Sequence, residues 1–181
     1  MNRNELAQRA HKNAVEKGFW DEPRSTEHYL MMIVVEISEA VEADRKNYYF
    51  VKAVFEDVFK ANYKEKDAFE HCYAMYINPT VESELADAYI MLLSLAEREK
   101  MDINDLPRLC EEFTIVPSKD FTKSAFDLTK QLCGNDTEYK ILYSLSFLES
   151  WAKLLKIDLK WHVEMKMKYN ETRPRMHGKK Y

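Results

Sequence analysis

Apolar residues recur every three to four positions over most of the chain, which is the period of an amphipathic α-helix. The pattern predicts helices over about 4–17, 26–46, 81–100, 121–132, 139–157 and from 159 onward, with one or two more within 47–82. Capping residues lie at several of these boundaries: Gly18, Ser25 or Thr26, Thr80 or Ser83, and Asp158. Pro174 and Gly178 predict an irregular end. We therefore expect an all-α fold.

Composition supports this expectation and excludes several functional classes. The 181 residues include only 3 Gly and 5 Pro, too few for an all-β fold, and no Gly-rich phosphate loop is visible. The longest apolar run, residues 29–35, is too short to cross a bilayer, and the polar start shows no secretory signal. The three cysteines lack metal or redox spacing. We expect a cytoplasmic protein with one domain, reduced thiols and no membrane partner.

Charge is distributed unevenly along the chain. Residues 166–181 carry a net charge of +5, whereas the whole chain carries −4, so residues 1–165 sum to −9. The basic end is either a solvated or nucleic-acid-binding tail, or a segment that closes over an anionic ligand held by the acidic body. The acidic body argues against a stable nucleic-acid partner.

The predicted second helix carries acids on an apolar face. It is apolar nearly all round, so we expect it to be buried. Glu36, Glu39 and Glu42 nevertheless follow one another at intervals of three, on the side of the helix that also holds Met32 and Val35. These carboxylates are therefore expected to face another helix or a cleft.

The helix predicted at 81–100 repeats this arrangement. Glu84 and Asp87 are three residues apart, and their face continues into Met91 and Leu95. Here too, a carboxylate pair lies on a face that is otherwise apolar.

If the two helices pack face to face, four carboxylates meet: Glu36, Glu39, Glu84 and Asp87. Buried like charges repel, and a hard divalent cation such as Mg²⁺ would neutralise them. The alternative is that these acids face solvent, as most such pairs do. No Glu is followed by His three residues later, which argues against a di-iron carboxylate bundle.

Four segments carry a family resemblance. They are LAQRAHKNAVEKGFWDE (6–22), VVEISEAVEADR (34–45), ESELADAYIMLLSLAE (82–97) and EMKMKYNETRPRMHGKKY (164–181). In this order they resemble the MazG-like all-α nucleoside triphosphate pyrophosphohydrolases, which include the dimeric dUTPases. Family members carry Glu-x-x-Glu on one helix and Glu-x-x-Asp on a later one. The resemblance implies a MazG-like helical bundle over residues 1–181, with helical insertions at about 47–80 and 104–150.

The resemblance also implies an activity. Family members cleave a (d)NTP between the α and β phosphates and release the monophosphate and pyrophosphate. By position, Glu36, Glu39, Glu84 and Asp87 would bind Mg²⁺, with Mn²⁺ as an alternative. Glu39 or Glu42 would take a proton from the attacking water, and the sequence leaves this choice open.

Basic residues near the end of the chain are candidates for binding the phosphates. Lys166, Asn170 and Arg173 fall on one helical face, at intervals of four and three residues. Lys179 and Lys180 would reach the ligand from the irregular end. The alternative is that these cations lie on a solvated surface.

Two residues near the first loop are candidates for contacting the nucleobase. Trp20 follows the first helix and could stack on the base, and His28 opens the second helix. Packing in the core or in an interface is the alternative for both side chains.

The resemblance further implies a homodimer or homotetramer. A different class remains open: a non-catalytic helical module that keeps the fold and binds a nucleotide or a partner protein. The nucleoside triphosphate substrate is expected only under the catalytic alternative.

Overall fold

The computed structural model describes residues 2–65, 67–104, 115–134, 136–178 and 180. Within these ranges every regular element is helical, so the predicted all-α fold is confirmed there. None of the described helices is long and apolar enough to cross a lipid bilayer. We number the helices α1 (Arg3–Glu16), α2 (Thr26–Arg45), α3 (Lys52–Asn62), α4 (Ala68–Tyr76), α5 (Val81–Arg98), α6 (Phe121–Leu132), α7 (Thr137–Leu155) and α8 (Leu159–Thr172), followed by a 3₁₀ turn at Arg175–Gly178.

Local capping sets most helix boundaries. The side chains of Ser25, Thr80 and Asp158 each accept a hydrogen bond from the backbone N–H three residues later, so these three predicted caps are confirmed. The predicted boundaries of α7 were wrong by two residues at each end. Asp136 caps its start, and Lys156 ends it in the left-handed conformation.

Helix α5 is the centre of the molecule. It packs against α1, α2, α7 and α8, and its side chains are buried on nearly every face. The sequence predicted that the face of Glu84 and Asp87 is otherwise apolar, and the burial of Leu95 on that face agrees with it. Because α5 is enclosed, any acid on it must lie in a protein contact or beside a cavity.

Helix α2 is less buried than its sequence predicts. Ile33 and Ile37 are buried against the core, whereas Met31 is 54% exposed. Met32 and Val35 lie between these extremes and border a cavity. The expectation of complete burial is therefore wrong, because the apolar circumference of α2 is divided among core, cavity and solvent.

The segments interpreted as insertions fold as helices where they are described. Helices α3 and α4 pack on each other around a small aromatic cluster centred on Phe55 and Tyr73, which also contacts α8 through Trp161 and Tyr169. Helices α6 and α7 pack together beside α2 and α5. Of these four helices, α7 packs on α5, and α2 keeps its own contact with α5.

Candidate metal centre and adjoining cavity

Three glutamates meet where α2 packs on α5. One carboxylate oxygen from each of Glu36, Glu39 and Glu84 lies within 4.8 Å of the others, and we call this group the glutamate cluster. A spacing of three residues places Glu36 and Glu39 on one side of α2, where Glu36 is partly buried and Glu39 is exposed. Glu84 is 9% exposed. Three oxygen donors of like charge at this separation fit a hard divalent cation such as Mg²⁺ or Mn²⁺.

The fourth predicted metal ligand has a different partner. Asp87 lies one turn after Glu84 on α5, but its Oδ2 atom is 2.5 Å from the Nζ atom of Lys166. Among the described residues, the acids close enough together to share an ion are the three glutamates of the cluster, and Asp87 is not one of them. The structure therefore assembles three of the four predicted carboxylates and pairs the fourth with a lysine.

Lys166 is buried, which the sequence did not indicate. Its side chain is 2% exposed, and Nζ also donates to Asn78 Oδ1 at 2.9 Å and Ser83 Oγ at 3.2 Å. The Tyr73 ring lies beside the ammonium, 5.8 Å from Nζ to the ring centroid, and burial raises the pKa of the Tyr73 hydroxyl. Lys166 does not border the cavity described next, so the phosphate contact predicted for it has no support in this geometry.

Glu42 lies outside the cluster. Its carboxylate pairs with Arg45 at 2.9 Å and with Lys46 at 3.1 Å on the exposed side of α2. The hydrogen bond from Lys46 lowers the pKa of Glu42, and Arg45 acts in the same direction. Of the two candidate proton acceptors, Glu39 is the one that belongs to the cluster.

A cavity of about 170 Å³ adjoins the cluster, and we call it the α2–α5 cavity. Its walls are mainly apolar and come from α1, α2, α5 and the loop between α1 and α2. Its polar lining residues are Asn13, Arg24, His28, Glu36, Asp87, Ser94, Asn170, Arg173 and His177. Because Glu36 belongs to both the cluster and the lining, the metal candidate and the cavity form one continuous site.

Trp20 borders the cavity with its ring already packed. Its indole stacks on Tyr29 with centroids 4.2 Å apart, and Nε1 donates to Ser94 Oγ at 3.1 Å. His11 contacts the same indole at 5.0 Å, and the Arg98 guanidinium lies 5.3 Å from it. The packing alternative for Trp20 is thus observed, and a ligand in the cavity would meet a fixed aromatic wall.

His28 also borders the cavity, as expected for a base-contact candidate. Its ring is edge-on to Tyr29 at 5.5 Å. Burial lowers the pKa of His28, and the charge of Arg24 lowers it further. The imidazole is therefore biased toward its neutral form, which can both donate and accept a hydrogen bond.

Of the three candidates predicted to share one face of the last helix, two reach the cavity. Asn170 and Arg173 both border it, and Asn170 is 7% exposed. The Oδ1 atom of Asn170 has no hydrogen-bond partner among the described residues. A buried polar atom beside a cavity is costly unless a ligand or water satisfies it, so Asn170 is a candidate ligand contact.

The chain after α8 folds back over the first loop. Met176 N donates to Lys17 O at 2.7 Å, Lys17 Nζ donates to the carbonyl of Arg173 at 2.7 Å, and Arg175 pairs with Asp21. Gly18 permits this closure because its φ is +82°, and a Cβ there would lie 2.8 Å from Arg175 Nε. The irregular end predicted from Pro174 and Gly178 is thus an ordered wall of the cavity over residues 173–178.

The predicted site residues and the residues that line the cavity are not the same set. Lys179 lies outside the described residues, and Lys180 is exposed. Sequence reasoning missed Asn13, Arg24, Ser94 and His177, all of which line the cavity. Only Asn13 carried a usable signal, since it lies between Ala10 and Ala14 on the apolar side of α1.

Comparisons with protein-family models, curated proteins and solved structures found no match to this chain.

Proposed function

We propose that this protein is a Mg²⁺-dependent nucleoside triphosphate pyrophosphohydrolase that releases a (d)NMP and pyrophosphate. The observation that carries the proposal is the continuity of the glutamate cluster with an apolar cavity that Asn170 and Arg173 also line. A (d)NTP has the matching parts: a flat base, a sugar and a polyanion that travels with a divalent cation. The family resemblance of the four sequence segments supports the same activity.

The cluster suits the cation that this reaction needs. Its donors are carboxylate oxygens, which hard divalent cations prefer, and a bound cation would offset the repulsion between them. When bound, Mg²⁺ would offset the charge of the polyphosphate and make its phosphorus more electrophilic. Glu36, Glu39 and Glu84 would hold it.

The remaining residues orient the substrate and move a proton. Arg173 offers a guanidinium that pairs with phosphate oxygens, and Asn170 offers its unpartnered amide oxygen to a substrate hydroxyl. Trp20 and His28 border the space for the base. Glu39, which lies in the cluster beside Glu36 and Glu84, accepts the proton of the attacking water as a general base.

An endpoint assay tests the proposal. The purified protein is incubated with each standard ribo- and deoxyribonucleoside triphosphate and with dUTP, with Mg²⁺ or with chelator, and the products are separated. We expect monophosphate and pyrophosphate from at least one substrate, and no product with chelator. Diphosphate and phosphate would contradict the bond assignment.

Helix α2 provides a matched pair of variants for this assay. Glu39→Gln removes a cluster carboxylate, whereas Glu42→Gln removes an acid three residues away that pairs only with Arg45 and Lys46. We expect the first to abolish turnover and the second to preserve it. Binding of a nucleotide without turnover by the wild type would favour the non-catalytic binding module.

We also propose a homodimer or homotetramer, which light scattering after size exclusion would test. A cytoplasmic location is part of the same proposal, and Cys72 and Cys133, which are free thiols, are compatible with it.

A further inference from the structure

We infer that Lys166 is a positioning residue that holds the Asp87 carboxylate out of the glutamate cluster and thereby weakens the binding of a free divalent cation. The inference rests on the proposed function, because it concerns the affinity of the same site. It assigns Lys166 a role that differs from contact with phosphate.

The first step is that Lys166 is held in place. Its ammonium has three hydrogens, and three acceptors surround it: Asp87 Oδ2 at 2.5 Å, Asn78 Oδ1 at 2.9 Å and Ser83 Oγ at 3.2 Å. At 2% exposure the side chain has no route to solvent without breaking these contacts. A buried charge is stable only while such partners remain, so the pair with Asp87 is strongly maintained.

The second step is that Asp87 lies between the α2–α5 cavity and Lys166. It borders the α2–α5 cavity, with 17% of its side chain exposed, whereas Lys166 lies behind it, away from the cavity. Asp87 would have joined Glu84 on the same face of α5, one turn apart. Lys166 thus balances the charge of Asp87 from the side away from the cavity. The metal candidate is left with three carboxylates.

The third step is an independent observation at the same cavity. Asn170 lies one turn after Lys166 on α8, is 7% exposed and borders the same cavity. Its Oδ1 atom has no hydrogen-bond partner among the described residues. A buried acceptor in this position points to a polar ligand beside the acids.

The fourth step is electrostatic. In a low-dielectric interior, a fixed positive charge behind the acids repels an incoming cation and cancels the attraction of Asp87. Removing Lys166 raises the negative charge of the site by one unit and frees Asp87 to act as a ligand. Both changes strengthen the binding of the cation.

Binding of Mn²⁺ alone, followed by titration calorimetry or by the paramagnetic signal of free Mn²⁺, tests the inference. We expect Lys166→Met to bind Mn²⁺ about tenfold or more tightly than wild type. Lys168→Met is the matched control, since Lys168 is exposed on the same helix with its ammonium 4.1 Å from the Phe69 ring centroid. The control should change the affinity by less than about twofold, because water screens its charge.

A second variant keeps the inference testable if Lys166→Met fails to fold. Asp87→Asn/Lys166→Met removes both charges of the pair, and its affinity for Mn²⁺ should stay within about threefold of wild type. Circular dichroism and thermal unfolding establish that each variant is folded.

The possible outcomes separate the inference from the proposed function. Unchanged or weaker Mn²⁺ binding by folded Lys166→Met overturns the inference alone, as does a loss of about tenfold or more in the double variant. Absence of Mn²⁺ binding in wild type and in every variant overturns the metal site, and the proposed function with it.

Discussion

Two groups of charged side chains lie on different sides of helix α5, and they are built differently. On one face, Tyr89 donates to Glu149 at 2.6 Å, and Arg3 forms a bidentate pair with the same carboxylate at 2.9 and 3.0 Å. On the other face, the glutamate cluster gathers three carboxylates within 4.8 Å. Positions 84 and 89 point about 140° apart around the helix, so the two groups do not share an environment.

The difference lies in the signs of the charges that each group brings together. The charge of the Glu149 carboxylate is balanced by Arg3, and the hydrogen bonds that Arg3 donates to Glu149 raise the pKa of Arg3. The glutamate cluster instead brings three like charges side by side. A bound cation would stabilise that arrangement, whereas the Glu149 group already contains its own cation.

The largest expected effect is on catalysis at the cluster. Glu84→Gln removes a cluster carboxylate, and we expect turnover to fall on the order of a hundredfold or more because the cation is held less well. Initial rates with saturating Mg²⁺ measure this loss. Turnover above about a tenth of wild type would place the metal elsewhere.

The second effect is on stability at the balanced group. Glu149→Gln leaves the Arg3 guanidinium without its counter-charge and weakens the acceptor of Tyr89, so we expect the free energy of unfolding to fall by about 2 kcal/mol. Urea unfolding followed by circular dichroism measures the change, and turnover should remain near that of wild type.

Glu164→Gln is the matched control for that variant. Glu164 also forms a bidentate pair, with Arg9, but both side chains are substantially exposed. We expect a loss below about 1 kcal/mol there. Equal losses in the two variants would remove the distinction between a partly buried pair and an exposed pair.

A smaller effect is expected at Asn170. Asn170→Ala removes an oxygen that has no partner in the described part of the protein, so unfolding free energy should change by less than about 1 kcal/mol. If the oxygen contacts substrate, kcat/KM falls about tenfold. A variant with lower stability and unaltered kinetics would give Asn170 a structural role instead.

The smallest effect is stabilisation by the cation. At a Mg²⁺ concentration about ten times its Kd, binding to the folded state adds about 1.4 kcal/mol, which corresponds to about 3 °C in Tm for a chain of this size. We expect Glu149→Gln to retain this increment and Glu39→Gln to lose most of it. Scanning calorimetry with and without Mg²⁺ measures both, and the same increment in both variants would show that the cation binds away from the cluster.

Much of the local structure was predictable because local rules produce it. Ser25, Thr80 and Asp158 cap their helices as expected, since a short side chain satisfies the backbone N–H groups of the first turn wherever the chain folds. The spacing of Glu36 and Glu39 likewise placed both carboxylates on one side of α2.

The burial of a side chain was less predictable than the face of the helix on which it lies. Lys166, Asn170 and Arg173 share one face of the last helix by spacing, and Asn170 and Arg173 do reach the cavity. The sequence pattern did not indicate that Lys166 is 2% exposed, because burial depends on what packs over the face. The acceptors of Lys166 lie some 80 residues earlier in the chain, at Asn78, Ser83 and Asp87.

By itself, the sequence determined the all-α fold over the described residues, the positions of its main helix starts and the two acid pairs, because periodicity, caps and spacings act within one or two turns of a helix. Tertiary structure decided that Glu84 joins Glu36 and Glu39, that Asp87 pairs with Lys166, and that Glu149 is balanced by Arg3. Each of these outcomes depends on the packing of helices distant in sequence. An isolated carboxylate costs so much to bury that its partner, whether cation or lysine, is settled only when those helices meet.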